Sequence, residues 1–351
     1  MTVRILQGDC RDVLRTLPDE SVQMCVTSPP YFGLRDYGVA GQMGLESSPE
    51  EFIAGMVEVF GEVRRVLRED GTLWLNIGDS YATNGGPGWQ GKNGQRADRR
   101  FTGTRNTVAM REQARTAFDG YKPKDLMGIP WMLAFALRAD GWYLRQEIIW
   151  HKPNPMPESI SDRCTKAHES IFLLAKSAKY FFNAKAIAEP ASPNTHSRGK
   201  VKMPDGWDTG AGGHGSFHRN GRQKGETRPV GVGPKSADED SKVKGKVSFH
   251  AGTVDVLDER NKRSVWTIPT APFKEAHFAT FPPALVEPCI LAGCPEGGTV
   301  LDPFFGAGTT GLVADRLRRD CIGIELNTEY AAIARKRIVG DSPLFAEVAN
   351  A

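Results

Sequence analysis

A glycine string near the carboxyl end of the chain limits the fold more than any other feature. Val300-Leu301-Asp302-Pro303-Phe304-Phe305-Gly306-Ala307-Gly308-Thr309-Thr310-Gly311 sets a GxGxxG pattern between a predicted strand, Thr299 to Leu301, and a predicted helix, Gly308 to Leu317. Glycines there let the backbone pass close to a ligand. Glu325, after the next predicted strand, Cys321 to Ile324, can accept hydrogen bonds from both hydroxyls of a ribose. The string reads as a nucleoside-binding turn. Only that strand and one helix, Asn327 to Ile338, follow it within the 351 residues, too few to complete a six-stranded dinucleotide sheet. The other strands must come from the amino-terminal half, in a permuted order that encodes the cofactor turn last.

Earlier in the chain, strands and helices alternate. Val3 to Gln7 and Val22 to Thr27 are apolar runs on either side of a short helix, Asp12 to Leu17. Ser48-Pro49-Glu50-Glu51 joins a capping box to a proline at the first helical position. Phe52, Met56, Val59, Phe60, Val63, Val66 and Leu67 then recur at helical spacing until Asp70-Gly71 closes the helix, and Thr72 to Ile77 is the next strand. Pro130 to Ala139 and Pro283 to Ala292 read as helices, Trp142 to Trp150 as a strand, and Glu169 to Ala175 with Tyr180 to Phe182 as a hairpin. The expected class is α/β, with a mainly parallel Rossmann-like sheet covered on both faces.

Composition narrows the setting. The chain is 40% hydrophobic and 25% charged, with no run of 18 apolar residues and no apolar leader in MTVRILQGDC. Neither a membrane span nor a signal peptide is expected, and the cytoplasm is the default location. Cys10, Cys25, Cys164, Cys289, Cys294 and Cys321 form no CxxC pair, which argues for reduced, mostly buried thiols. His214 and His218 have no helix to present them, so no metal site is expected. The net charge of +3 says little, but its distribution says more. Residues 83–121 hold seven Lys or Arg against three acidic residues, and 191–250 hold eleven against six, with eleven Gly. Basic charge gathered on two loop-like insertions can neutralise phosphates, which points to nucleic acid.

The strand Val22 to Thr27 runs into Ser28-Pro29-Pro30-Tyr31. Two prolines fix φ and remove two N–H donors, leaving a rigid turn that offers carbonyls. Tyr31 can stack on a planar ligand while Ser28 and a main-chain carbonyl accept from its amino group. Alone, such a turn also serves simply to end a strand.

Together, Thr27-Ser28-Pro29-Pro30-Tyr31 and Asp302-Pro303-Phe304-Phe305-Gly306-Ala307-Gly308-Thr309-Thr310 resemble the β class of amino-group DNA methyltransferases, which use S-adenosylmethionine. The motif order is that family's circularly permuted order, and the resemblance covers about residues 4–183 and 263–337. It implies a methyltransferase sheet in which Asp9 contacts the cofactor adenine and Glu325 its ribose. Asp302, Phe304, Gly306, Gly308 and Thr309 would line the methionine and ribose side, with Thr280 and Phe281 near the methionine moiety. Ser28, Pro29, Pro30 and Tyr31 would form the catalytic turn, and Gln146 to Pro153 would lie beside the target-base pocket. The implied organisation is a catalytic part over 1–190 that includes the basic loop 83–121, a target-recognition insertion over 191–262, a cofactor-binding part over 263–340 and a tail over 341–351. Double-stranded DNA is the implied substrate, and a cognate restriction endonuclease is a partner that such an enzyme can have. No sequence feature fixes an oligomeric state.

The chemistry suits these residue types. An exocyclic amine of cytosine or adenine is a poor nucleophile because its lone pair is delocalised into the ring. Acceptors at Ser28 Oγ and the Pro29 carbonyl favour a more pyramidal nitrogen, with Tyr31 stacked on a flipped base and the surplus proton leaving to water. Ser before Pro-Pro-Tyr resembles the cytosine N4 enzymes, whereas the adenine N6 enzymes more often carry Asp there. Competing readings are a NAD-dependent oxidoreductase, favoured only by GxGxxG, and a catalytically silent DNA-binding protein. Pro288-Cys289 resembles the nucleophile of cytosine carbon-5 enzymes, but Cys289 sits in an apolar helical pattern that reads as core. His151 and Lys152 either touch substrate or merely close a strand.

Overall fold

The computed structural model describes residues 1–34, 38–82, 120–191, 259–271, 281–341 and 347–350. The chain divides into two units, Met1–Ile187 with Asn261–Ala351, and Ala188–Arg260. In the second unit the described residues form a short antiparallel pair, β6 (Glu189–Pro190) with β7 (Glu259–Arg260), closed by an Arg260–Glu189 ion pair of 3.7 Å. Apart from its ends, the expected target-recognition insertion lies outside the described residues, as do His214 and His218.

In the first unit the other strands are β1 (Thr2–Gln7), β2 (Val22–Thr27), β3 (Leu67–Ile77), β4 (Tyr143–His151), β5 (His168–Ala175), β8 (Val265–Thr267), β9 (Thr299–Asp302), β10 (Asp320–Glu325) and β11 (Glu347–Asn350). They form one sheet in the order β11-β1-β10-β9-β2-β3-β5-β4-β8, in which only β5 runs antiparallel. The last-encoded βα unit is thus inserted between β1 and β2, which is the permuted order the glycine turn requires. At that insertion the chain passes to opposite sides of the sheet, and in open α/β sheets such a switch point leaves a crevice at the strands' carboxyl ends.

Among the described residues six helices cover the two faces: α1 (Cys10–Thr16), α2 (Pro49–Val66), α3 (Ile129–Ala139), α4 (Pro283–Gly293), α5 (Thr309–Arg316) and α6 (Thr328–Asp341). Side chains alternate across a strand, so neighbouring residues enter different cores. Cys25, Leu73 and Leu75 meet α1 to α3, whereas Met24, Val26 and Trp74 meet α4 to α6. All six residues of β2 are buried, as expected of an interior parallel strand.

Local signals fare unevenly. Ser48 caps α2 by accepting from Glu51 N at 3.2 Å, but the Glu51 carboxylate turns to Ser47 N at 3.1 Å and Ser47 Oγ at 2.6 Å, so the reciprocal half of the box is shifted by one residue. The helix ends at Val66, not at Asp70-Gly71, which instead lie where the β2–β3 register shifts. The expected hairpin does not form. Tyr180 to Phe182 is not a strand, and β5 pairs with β3 and β4, both of which precede it in the chain. Phe182 instead stacks on Trp74 at 6.2 Å between ring centres.

All six cysteines are free thiols, five of them buried and Cys164 exposed. Cys289 donates to the Leu285 carbonyl at 3.3 Å inside the core. Burial pushes its thiol well up, the opposite of what a nucleophile needs. Among the described residues no helix is long and apolar enough to cross a membrane, and no group of three or more His, Cys, Asp or Glu could hold a metal.

Candidate active site

A cavity of about 910 Å3 opens at the carboxyl edge of the parallel strands and receives both sequence motifs. One part is walled by Gly8, Asp9, Phe304, Gly306, Thr309 and Glu325, the other by Ser28, Pro29, Pro30, Tyr31, Asn76 and Glu169. Chain ends separated by some 275 residues therefore meet in one space, as the hydrogen bond from Thr27 to Asp302 requires.

The glycine turn is built by its neighbours. Gly306 and Gly308 have φ of +51° and +75°, in the left-handed region where a Cβ is strained. Gly308 also packs so closely on α6 that a Cβ would lie 2.8 Å from that of Ala334, whereas nothing lies within 4 Å of a Cβ at Gly306. The open side of Gly306 is what a ligand approaching the backbone needs. Glu325 faces the same space with only 9% exposure; its Oε2 accepts from Gly306 N at 2.7 Å and its Oε1 from Asn327 N at 2.8 Å. Burial raises its pKa, and the backbone donors at Asn327 and Gly306 oppose the rise.

Asp302 and Gly308 are not on the cavity wall. Asp302 is fully buried behind the turn, accepting from Thr27 Oγ1 and Thr310 Oγ1, each at 2.6 Å, and from Phe304 N at 3.1 Å. It ties the two motifs together instead of facing a ligand. Burial pushes its pKa up to about 6 against those three donors. Asp9 is on the wall, but it also caps α1 by accepting from Arg11 N at 2.9 Å, and its Oδ2 pairs with Arg11 Nη2 at 2.5 Å. That guanidinium holds the carboxyl below its usual value. Phe281 lines the cavity, and Thr280 lies outside the described residues.

The Ser28 turn is held by a network that no sequence motif announced. Asn76, near the carboxyl end of β3, donates from Nδ2 toward Ser28 Oγ at 3.2 Å, Tyr31 Oη at 3.0 Å and Glu169 Oε2 at 3.2 Å. Tyr31 Oη donates to Glu169 Oε2 at 2.7 Å, while the other Glu169 oxygen pairs with Lys152. Lys152 in turn lies over the Trp150 ring, 4.2 Å from its centre. Burial and the Glu169 charge raise the Tyr31 pKa well above normal, and hydrogen bonds from Ser28 and Asn76 oppose that rise. The Tyr31 ring rests on Gly78, where a Cβ would lie 2.5 Å from Cε2. Lys166, also on the wall, has its pKa lowered by burial. Lys152 thus faces the cavity, whereas His151 turns to Thr267 Oγ1 at 3.1 Å. In the sequence, Asn76 shows only as a polar residue within the apolar run Leu73 to Ile77, and Glu169 only as the middle of three polar residues that open β5.

The sequence model of the N6/N4 DNA methylase family matches residues 22–336. The type II methyltransferase M.SmaI of Serratia marcescens is 43% identical over 96% of this chain and 90% of its own length. M.Cfr9I of Citrobacter freundii, another type II methyltransferase, is 42% identical over 99% and 91%. Two solved structures share the fold. A DNA modification methylase of Thermus thermophilus, TTHA0409, in complex with S-adenosyl-L-methionine, superposes with a TM-score of 0.54 at 23% identity, covering 99% of both chains. The cytosine-N4-specific PvuII DNA methyltransferase gives 0.57 at 16% identity, over 96% of this chain and 86% of its own.

Proposed function

The chain belongs to the N6/N4 DNA methylase family, and from that premise we propose that it is a type II enzyme methylating the exocyclic amino group of a base flipped from duplex DNA, cytosine N4 being the favoured acceptor. The observation that carries this reading is the single cavity shared by the Gly306 turn and the Ser28-Pro29-Pro30-Tyr31 turn. Separate clefts could not bring a methyl donor to a base.

S-adenosylmethionine fits the first part of the cavity. The backbone at Gly306 is open to close approach, and the Glu325 carboxylate has lone pairs left for ribose hydroxyls beyond the two N–H groups it already accepts. Asp9 and Phe281 both line the cavity, and we assign them to the adenine and to the methionine moiety. When bound, the cofactor supplies an electrophilic methyl group on sulfur. NAD would need the same turn, but it gives no role to the Ser28 turn, and a silent DNA binder would need neither.

In the second part, Asn76 fixes the Ser28 hydroxyl so that its oxygen accepts from the amine, and the proline turn presents a carbonyl for the other N–H. Tyr31, backed by Gly78, supplies the stacking surface for a base out of the helix. Ser28, where adenine enzymes more often carry Asp, favours cytosine. Residues 191–262 are the segment we assign to target recognition, and duplex DNA and a cognate restriction endonuclease are the partners this function implies.

The test is direct. The protein is incubated with tritiated S-adenosylmethionine and unmodified genomic DNA, and the DNA is digested to nucleosides and chromatographed. Label in N4-methylcytosine is expected. Label in N6-methyladenine would overturn the choice of base, and unlabelled DNA would overturn the activity.

A further inference from the structure

Transfer of a methyl group to an amine leaves the nitrogen with one proton too many. In water that proton would leave at once; in the cavity a group on the wall can take it, and serine is too weak a base to keep it. The wall offers a route. Ser28 Oγ and Tyr31 Oη both accept from the same donor, Asn76 Nδ2, at 3.2 Å and 3.0 Å, which sets the two hydroxyls side by side, and Tyr31 Oη donates to Glu169 Oε2 at 2.7 Å. Asn76 Nδ2 reaches Ser28 Oγ, Tyr31 Oη and Glu169 Oε2, all within 3.2 Å, and so holds the three groups in one cluster.

We propose that Glu169 is the acceptor of the proton lost by the target amine, received through the hydroxyls of Ser28 and Tyr31. As the C–N bond forms and the C–S bond breaks, the electron pair of that bond leaves with sulfur. One amine proton then passes to Ser28 Oγ, the Ser28 proton to Tyr31 Oη, and the Tyr31 proton to Glu169 Oε2. Both hydroxyls end neutral and Glu169 ends as a carboxylic acid, which returns its proton to solvent when the site opens. A carboxylate suffices, because a nitrogen whose lone pair has just been used is a far stronger acid than a carboxylic acid. Relay, not ionisation, is the role left to Tyr31, since burial and the neighbouring carboxylate disfavour a phenolate.

The surroundings suit an acceptor that must be charged at the start of each cycle. Glu169 stands opposite Trp150 in the β4–β5 register, and Lys152, just past β4, pairs with the carboxylate oxygen not used by Tyr31. Lys166 also faces it, itself flanked by Asp79, Glu158 and Lys152. Glu147, on the neighbouring strand, is occupied by Ser170 at 2.8 Å.

The proposal rests on the reading of Ser28 as the group that meets the amine, but not on which base carries that amine. It is tested with the full-length chain, S-adenosylmethionine and a duplex bearing the site found by the nucleoside experiment. Glu169→Gln keeps the shape and loses the acceptor; Tyr31→Phe keeps the ring and loses the link. Each should slow the single-turnover rate about 100-fold. The double variant should be no slower than either single one, because both remove the same path. Cofactor binding by calorimetry and flipping of a 2-aminopurine placed at the target, read by fluorescence, should stay within about threefold of wild type. Three results would overturn the relay: a Glu169→Gln rate near wild type, a double variant slowed by the product of the single effects, or a slow variant that no longer flips the base. If the wild-type enzyme itself labels no amine, the function proposed above is what fails, and the relay with it.

Discussion

Thr27 Oγ1 donates to Asp302 Oδ1 at 2.6 Å, joining the end of β2 to the end of β9 and the Ser28 turn to the glycine turn. Asp302 also holds Thr310 Oγ1 and Phe304 N, so one fully buried carboxylate sets the relative position of both halves of the site. Asp302→Ala would leave three donors unpaired, each costing about 1–3 kcal/mol when buried. A loss of at least about 3 kcal/mol in unfolding free energy is expected in urea titrations. An unchanged midpoint would show that the carboxylate is not the tie.

The same residue gives stability a pH dependence of defined sign. Its folded pKa of about 6 lies above the ordinary 3.8. Between those values the unfolded chain has released the proton that the folded protein still binds, so this group lowers stability as pH rises, by at most about 1.4 kcal/mol per unit. Above the folded pKa the effect is constant. Asp302→Asn lacks this titration. The wild-type advantage over that variant should therefore shrink between about pH 4 and about pH 6 and then level off. A difference that grows over that window would contradict the sign.

Two glycines of the turn should respond differently to alanine. Both adopt left-handed φ, which costs an L-residue about 1–2 kcal/mol. A Cβ at Gly306 meets nothing within 4 Å, whereas one at Gly308 would lie 2.8 Å from Ala334 Cβ and 3.1 Å from its backbone. Gly308→Ala should lose about 1–3 kcal/mol more than Gly306→Ala from the overpacking of α5 on α6. Gly306→Ala should instead weaken cofactor binding, since its new methyl enters the cavity. Equal stabilities in thermal melts would argue against the clash.

What the sequence made legible was local, and what it hid depends on pairing. Phe52 to Val66 carries its own helical period, and β2 its own apolar run, so both could be read without neighbours. Tyr180 to Phe182 has strand-like residues but no free edge to join, because β5 is already flanked by β3 and β4. Asn76 and Glu169 acquire meaning only when Asn76↔Ile171 and Trp150↔Glu169 fall into register and bring both side chains to Tyr31. Asp302 ends a strand beside the cofactor turn and so resembles a ligand contact, yet its two oxygens are spent on Thr27, Thr310 and Phe304.

Ser28→Ala removes one of the two acceptors assigned to the amine and leaves the proline turn in place. The expected result is a fall of about 100-fold in kcat with little change in KM for DNA, because the contact matters most as the nitrogen becomes pyramidal. Thermal stability should stay within about 0.5 kcal/mol, since Asn76 retains Tyr31 and Glu169 as acceptors. Full activity in a folded Ser28→Ala protein would remove serine from the mechanism.

Glu325 offers the sharpest test of the cofactor. Both of its oxygens accept from backbone N–H groups, of Gly306 at 2.7 Å and Asn327 at 2.8 Å, and both must still have a lone pair free for ribose. Glu325→Gln keeps the volume but turns one acceptor into a donor facing an N–H, so the Gly306 turn should loosen and the ribose contact weaken together. A ligand bound only by the folded state raises stability by about 2.7 kcal/mol at 100 times its Kd. Wild-type protein should therefore melt at a higher temperature with S-adenosylmethionine and be unmoved by NAD at the same concentration. In Glu325→Gln the S-adenosylmethionine shift should shrink as if Kd had risen about 10-fold or more, equivalent to about 1.4 kcal/mol. A wild-type shift with NAD alone would favour the oxidoreductase, and an undiminished shift in Glu325→Gln would move the ribose contact elsewhere on the wall.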